Sequence, residues 1–362
     1  MTRLRLGVVG VGHLGKEHAR ILSQLPDVEL VGVVDPRNVQ AAAIAQRCGT
    51  RAFTDHRELV GKVDGVVVAA PTAHHHLVAR DFLEQGIPVL IEKPLTADLG
   101  QAEDLLAIAA RREVTLQVGH IERFNPAFEE LQRRPLCPKF ITCERLGGFS
   151  GRSTDVGAVL DLMIHDLDLV LTLVRSEVRS VEALGVAVLG GHEDMARATV
   201  TFANGCVAQL SASRVHPAPV RRMNVWAPEG FVTVDFAKRH LTMMQVNRNT
   251  LHAGFDSRRL DPSALESVRT ELFGRYLQVC EFACGTRDQL TSELEDFVHC
   301  IRTGERPRVD GTAGRDAVAL ATQILSCIRN HAWEGDVAGP CGPKALPAPL
   351  GSLFATVESR AA

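Results

Sequence analysis

The stretch that most limits how this chain can fold is LRLGVVGVGHLG, residues 4–15. A short β-branched run leads at once into Gly10-Val11-Gly12-His13-Leu14-Gly15. A G-x-G-x-x-G that leaves a strand and opens a helix asks for a tight turn at Gly10 and a backbone open to phosphate at Gly12. It also asks for close helix–strand packing at Gly15, with the helix N-terminus facing the phosphates. Asp35 ends the next β-branched run, ELVGVVD (29–35), 20 residues after Gly15. A carboxylate so placed reaches the ribose hydroxyls of an adenosine. The unit predicts a dinucleotide site and favours NAD, because Asp35 repels a 2′-phosphate, while Arg37 nearby leaves room for NADP.

The alternation continues. NVQAAAIAQRCG reads as a helix, VDGVVVAAP (63–71) as a strand, and HHHLVARDFLEQG as a helix closed by Gly86. PVLIEKP (88–94), AEDLLAIAARR and VTLQVGH (114–120) repeat the pattern. Strands alternating with helices imply a parallel, doubly wound Rossmann sheet over residues 1–120. The rhythm changes near Pro126. ARATVTFANGCVAQLSASRV carries Asn204-Gly205, a strong hairpin signal, and RMNVWAPEGFVTVDF turns at Pro228-Glu229-Gly230. Residues 121–335 are therefore expected to form an α+β domain. Its sheet would be open and mostly antiparallel, with a helix at 156–174 packed on it and two further helices at SELEDFVHCIRTG and GRDAVALATQILSCIRNH. Residues 336–362, rich in Pro and Gly, read as an extended arm. A length of 362 residues suits two domains.

Bulk properties exclude several classes of function. A net charge of −3 and a pI near 6.5 give no footprint for nucleic acid or an anionic membrane. No apolar run reaches membrane-spanning length, and the N-terminal run is too short for a signal peptide. The nine cysteines are scattered and form no C-x-x-C pair; Cys280 and Cys284 read as neighbours on an apolar helix face. This usage predicts a reduced, cytoplasmic setting.

Three clusters carry chemistry. Glu92-Lys93-Pro94 ends the fourth strand, and ligands of a doubly wound sheet sit at that edge. Pro71-Thr72 ends the third strand, followed by His74, His75 and His76. Adjacent histidines diverge on a helix start and no Asp/Cys set completes a zinc site, so no metal is expected, and His75 reads as a cofactor-side contact or cap. The third cluster is DLMIHDLDL (161–169), apolar nearly all round and hence buried. On a helix its Asp161, His165 and Asp168 fall within about 60° of one another.

Together these motifs resemble the Gfo/Idh/MocA oxidoreductases. The resemblance covers about residues 4–333 and rests on GVGHLG, PTAHH, EKP, GHIERFNP (119–126) and the spacing of Gly157, Asp161, His165 and Asp168. It implies that Lys93 enters the active site and that the Asp161/His165 helix lies across the nicotinamide, with the polar stripe turned to substrate and cofactor. The expected cofactor side comprises Gly10, Gly12, His13, Leu14, Gly15, Asp35, Pro71, Thr72, His75, Glu92, Lys93 and Arg123. The expected substrate side comprises Lys93, Arg123, Asn125, Arg152, Asp161 and His165.

Oxidising a secondary alcohol needs a base for the hydroxyl proton, and His165 is the preferred one. A protonated Lys93 would stabilise the alkoxide, and Asp161 would orient the imidazole or bond a sugar hydroxyl; a desolvated lysine can exchange roles with the histidine. GHIERFNPAF and residues 149–170 are most similar to the branch of the family that oxidises the 3-hydroxyl of UDP-N-acetylglucosamine-type sugars. Arg123, Arg145, Arg152, Arg214, Arg221 and Arg222 are candidates for holding its diphosphate. A free-sugar or inositol dehydrogenase would keep the same Lys93/Asp161/His165 set, and a non-catalytic NAD-binding regulator would keep only the glycine turn. The resemblance further implies a homodimer or homotetramer, and a reactive keto product implies an aminotransferase that consumes it.

Overall fold

The computed structural model describes residues 2–151, 155–189, 191–247, 250, 256–335 and 338–345. Six parallel strands form the first sheet: β1 Leu4–Val9, β2 Val28–Val34, β3 Arg51–Phe53, β4 Gly65–Val68, β5 Val89–Glu92 and β6 Leu116–Gly119. Their order is β3-β2-β1-β4-β5-β6, so the winding reverses between β1 and β4 and opens a crevice at the carboxyl edge. Helices α1 Gly15–Leu22, α2 Asn38–Cys48, α3 His75–Leu83 and α4 Leu99–Arg112 connect the strands. Every residue of β4 (GVVV) and β5 (VLIE) is buried, which is why both read as unbroken apolar runs. β3 was not legible: it is a three-residue edge strand, RAF, with no buried face to leave a pattern.

After β6 the chain makes a short 3-10 turn, Ile121–Phe124, and enters α5 Pro126–Gln132, with Pro126 at its first position and Asn125 capping it. The second sheet has eight strands. They are β7 Phe140–Leu146, β8 Val178–Val186, β9 Met195–Phe202, β10 Val207–Ser213, β11 Val220–Ala227, β12 Gly230–Asp235, β13 His240–Val246 and β14 Leu277–Ala283. Their order is β14-β13-β12-β11-β7-β10-β9-β8, antiparallel except where β7 and β10 run parallel. Alternation sets its two faces. Ile141, Cys143, Ala196, Ala198, Val200, Ala208 and Leu210 are buried on one face, where α6 Ile164–Val174 packs on β7 and the turn before it packs on β10. Both expected hairpins form, with Gly205 at φ +83° in the first and the Pro228-Glu229 turn in the second. Cys280, expected on a helix, lies instead on β14. LQVCEFA alternates along an edge strand paired to β13, and that period prevails over the i,i+4 spacing of its cysteines.

The helix expected at 156–174 has two parts, a π-turn over Val159–Met163 and then α6. Beyond β13 lies α7 Pro262–Glu271, and beyond β14 the chain returns to the first sheet through α8 Gln289–Thr303 and α9 Gly311–Asn330. Leu294, Phe297 and Val298 of α8 join Leu6, Val8 and Leu90 in one core. Gly311 and Gly314 let α9 approach β6 so closely that a Cβ at either would sit 2.7 Å and 2.6 Å from Leu116 and Val118. The two domains are thus fastened together by the C-terminal helices, a tie that composition along the chain does not reveal.

Of the proposed arm, residues 338–345 fold back, where Trp333 Nε1 donates to the Gly342 carbonyl (3.0 Å) and the Ala187 amide to that of Pro343 (2.7 Å). Residues 346–362 lie outside the described residues. No helix among the described residues is long and apolar enough to cross a membrane, and all nine cysteines are free.

Candidate active site

The three glycines of the first turn divide the work as their spacing requires. Gly10 adopts φ +83°, and a Cβ there would lie 2.6 Å from the Ala70 amide nitrogen. At Gly15 a Cβ would fall 1.7 Å from the Gly10 carbonyl oxygen, so the helix packs this closely only with glycine. At Gly12 nothing stands within 4 Å, leaving the backbone open on the side from which a pyrophosphate approaches. Asp35 is buried at the end of β2. Its carboxylate accepts from the Val11 amide (3.3 Å) and from the Arg37 amide and Nε (3.0 and 3.2 Å). His13 and Leu14 are exposed at the rim, and Thr72 is buried where β4 gives way to α3. An open Gly12 and a fixed carboxylate fit the adenosine half of NAD, and the domain is an NAD-binding Rossmann fold.

His75 is otherwise employed. Its two ring nitrogens lie 2.9 Å and 2.8 Å from the carbonyl oxygens of Pro94 and Ala70, tying the ends of β5 and β4 together. Burial lowers its pKa, opposed by the two carbonyls, which favour the protonated ring. The pair of carbonyls leaves neither nitrogen for the cofactor.

At the end of β5, Lys93 precedes a cis peptide bond to Pro94 and reaches across to the second domain. Its Nζ donates to the Asp161 carbonyl (2.6 Å) and to Asp161 Oδ1 (3.1 Å). The π-turn that presents Asp161 starts at a carboxylate cap: Glu193 Oε1 accepts from the Val159 amide (3.0 Å). Gly157 makes room for that cap, since a Cβ there would overlap the Glu193 carboxyl at 2.1 Å. His165, one turn on, is part-buried, and its Nδ1 is sealed without a partner, which leaves Nε2 to meet a ligand. Burial pushes its pKa well below the ordinary imidazole value, helped by the positive charges of Lys93, Arg145 and Arg221.

The polar stripe of 161–168 therefore splits. Asp161 and His165 face Lys93, whereas Asp168 turns inward to a two-pronged pair with Arg123 (2.7 and 2.9 Å). The π-turn shifts Asp161 relative to α6, while His165 and Asp168 share α6 and part through their partners, Asp168 being taken by Arg123. Asn125 is also committed, accepting from the Ala127 amide (3.0 Å) and donating to Glu122 (2.9 Å) and to the Phe236 carbonyl (3.2 Å).

The six arginines separate as clearly. Arg145 is buried between Asp166 (2.7 Å) and Glu122 (2.9 Å). Arg214 is buried against Asp194 (2.7 Å) and the Val156 carbonyl (2.9 Å). Arg222 pairs in register with Glu144 and lies on the sheet face away from α6. Arg221 pairs in register with Arg145, on the α6 side, is exposed, and has no carboxylate partner among the described residues. Arg152 lies outside the described residues.

Sequence reasoning missed three groups behind Lys93. His120, at the end of β6, is buried with both ring nitrogens unpartnered and meets His165 edge-on at 6.4 Å between ring centroids. His18 Nε2 lies 2.7 Å from Glu92 Oε1. Glu293 of α8 is fully buried beside that pair, with neither oxygen partnered. Burial and the neighbouring charges of Glu92 and Asp296 raise its pKa well above the ordinary carboxyl value. The signals available were His18, three residues past the glycine motif, and the lone Glu in SELEDFV that falls on the apolar side of its helix.

Comparisons with known proteins agree with this architecture. Residues 4–120 match the family described as oxidoreductase family, NAD-binding Rossmann fold, and residues 144–233 match the Gfo/Idh/MocA C-terminal domain. The UDP-N-acetylglucosamine 3-dehydrogenase of Acidithiobacillus ferrooxidans is 37% identical over 325 residues, covering 90% of this chain and 97% of that protein. A solved structure of that enzyme aligns with a TM-score of 0.79 at 35% identity, over 91% of this chain and 98% of that one. The scyllo-inositol 2-dehydrogenase (NAD(+)) of Bacillus subtilis is 25% identical over 350 residues, covering 88% and 93%. Levoglucosan dehydrogenase in complex with NADH shares the fold, with a TM-score of 0.75 at 17% identity over 90% of this chain and 97% of that one.

Proposed function

Because the chain belongs to the Gfo/Idh/MocA oxidoreductase family, we propose that it oxidises a sugar hydroxyl with NAD, taking UDP-N-acetylglucosamine to its 3-keto form. The observation that carries this reading is Lys93 Nζ, held by the carbonyl and carboxylate of Asp161 beside His165 at the crevice of the glycine-turn sheet. When bound in the crevice lined by Gly12 and Asp35, NAD would supply the hydride acceptor. The side chains manage the proton and the charge on oxygen. His165 is neutral near pH 7 because its pKa is depressed, so Nε2 is free to take the hydroxyl proton. Lys93 gives two N–H bonds to Asp161 and has a third for the substrate oxygen, where an ammonium stabilises developing alkoxide. Asp161 aims the lysine and not the imidazole.

The choice of sugar rests on the full-length relative that carries this activity and on Arg221, a cation on the site side of the second sheet that is available for a diphosphate. One observation favours a smaller polyol, as in the inositol dehydrogenases. Arg123, Arg145 and Arg214 are all consumed by internal carboxylates, so fewer cations await a diphosphate than the sequence suggests. The 3-keto product is reactive, and an aminotransferase forming a 3-amino sugar is the fitting partner. We place the enzyme in the cytoplasm as a homo-oligomer.

An assay containing NAD, UDP-N-acetylglucosamine, glutamate and a keto-sugar aminotransferase tests the reading, because removal of the ketone draws an uphill oxidation forward. Formation of the amino sugar, read by mass, is the expected result. Unchanged UDP-N-acetylglucosamine beside rapid NADH formation from inositol or a free sugar overturns it.

A further inference from the structure

Unmet hydrogen-bonding capacity in this molecule is concentrated behind the reacting centre. Eleven buried side-chain polar atoms among the described residues lack a partner, and seven of them belong to His165, His120, His18, Gln117 and Glu293. Buried polar groups are ordinarily paired, because leaving them bare is unfavourable. These five side chains also adjoin one another. His165 meets His120 at 6.4 Å between centroids. His120 follows Gly119, which pairs in register with Glu92 and whose Cβ, if present, would lie 3.1 Å from Glu92 Oε2. Glu92 pairs with His18 at 2.7 Å, and a ligand atom of Glu293 lies within 4.8 Å of both. Gln117 Nε2 donates to the Glu293 carbonyl (3.1 Å).

We propose that this row of side chains is a water-joined proton relay, which takes the proton from His165 during turnover and carries it to the Glu92–His18–Glu293 group. The inference rests on the reading of His165 as the base. For Nε2 to accept a proton, the neutral ring must carry its own proton on Nδ1, and the nearest ring that can receive it is His120. No hydrogen bond joins the two rings directly, so the relay requires a water between them. Accepting the substrate proton makes His165 an imidazolium beside Lys93, Arg145 and Arg221, in a site that disfavours another positive charge. Release of the Nδ1 proton relieves this. It passes by water to one nitrogen of His120, and His120 passes the proton on its other nitrogen to the Glu92 carboxylate. One proton leaves the substrate and one arrives at Glu92, both rings end neutral in the exchanged tautomer, and the two electrons leave with the hydride. His120 is thus a positioning residue acting through His165.

The test uses the full-length enzyme with NAD and UDP-N-acetylglucosamine in the coupled assay. His120→Ala and His120→Asn are expected to lower kcat on the order of tenfold or more, as loss of a proton-transfer group does, with NAD affinity and KM nearly unchanged. Added imidazole restores turnover in His120→Ala, and the solvent deuterium isotope effect of the wild type, reporting several protons in flight, shrinks in His120→Asn. Should His120→Ala fail to fold, the isotope effect of His120→Asn decides alone. Wild-type turnover and an unchanged isotope effect in the His120 variants, while His165→Ala is inactive, overturn the relay and leave the base intact. An active His165→Ala overturns the base and the relay together. A stoichiometric metal ion found in the purified enzyme by mass spectrometry overturns the relay's end, since His18, Glu92 and Glu293 are also a metal-type ligand set.

Discussion

Lys93 and His165 stand on different domains, and the chemistry depends on each holding its own charge state. Lys93→Ala and His165→Ala should each lower kcat by about 10² or more, the scale typical of a general acid–base group, while NAD affinity measured by fluorescence titration stays near that of the wild type. The pH dependence follows from the sign of the His165 shift. A pKa pushed below the usual 6.5 keeps the imidazole neutral as pH falls, so the acid limb of kcat/KM should lie below pH 6.5 and activity should persist through pH 6. A limb at or above 6.5 in the measured profile contradicts the assignment. We propose that Asp35 sets cofactor choice: its carboxylate, fixed by the Val11 and Arg37 amides, would repel a 2′-phosphate, and Asp35→Ala should narrow the expected preference for NAD over NADP in paired titrations. The positions of these three residues were legible because each stands at a fixed offset from a glycine turn, a strand end or an i,i+4 partner. The arginines were not, since a charge in a sequence does not name its counter-ion. Arg123, Arg145 and Arg214 found theirs inside the protein.

At the scale of elements, the π-turn and α6 are held to β7 and the Ile121–Phe124 turn by buried ion pairs. Arg145 reaches Asp166 on α6 and Glu122 on the turn, with all three buried. Removing the arginine alone leaves two carboxylates in a low-dielectric interior. Arg145→Met should therefore destabilise the fold by about 3–5 kcal/mol, the range for breaking a buried pair by deleting one partner. Urea denaturation at pH 7 measures it, and a loss within a few tenths of a kcal/mol counts against a structural role for the pair. Burial imposes a readable period on β4 and β5, two-sided, and on β9 and β10, alternating, whereas β7 and β13 alternate as well and were not read as strands. The π-turn was not legible, because LDLMIHDL fits an ordinary helix equally well. What selects the wider turn is the Glu193 carboxylate, which reaches Val159 from a residue 34 positions away.

For the whole molecule, the change of rhythm after Pro126 marks a boundary near residue 120 but does not hint that α8 and α9 return to close the first sheet. Their apolar faces show that something is buried, not what buries it. Leu294 and Phe297 pack with Leu90 and with Leu6 and Val8, the last two nearly 300 residues earlier in the chain. Among the described residues no layer covers the face of the second sheet away from α6, which carries Phe140, Trp226 and Phe231 in a row, with ring centroids 5.0 and 4.8 Å apart. A sheet face bearing such a stripe suits a second copy of the chain. Sedimentation at micromolar concentration should show an oligomer, and Trp226→Glu should shift it towards monomer; a monomeric wild type refutes the assembly. The central claim is that a hydrogen leaves C3 of a UDP-sugar as hydride in the crevice where Lys93 meets Asp161 and His165. Turnover of UDP-N-acetylglucosamine deuterated at C3, in the presence of the aminotransferase, tests this directly. The account predicts reduced nicotinamide carrying one deuterium, seen by mass and proton NMR. Unlabelled NADH, or no turnover while inositol is oxidised, contradicts it.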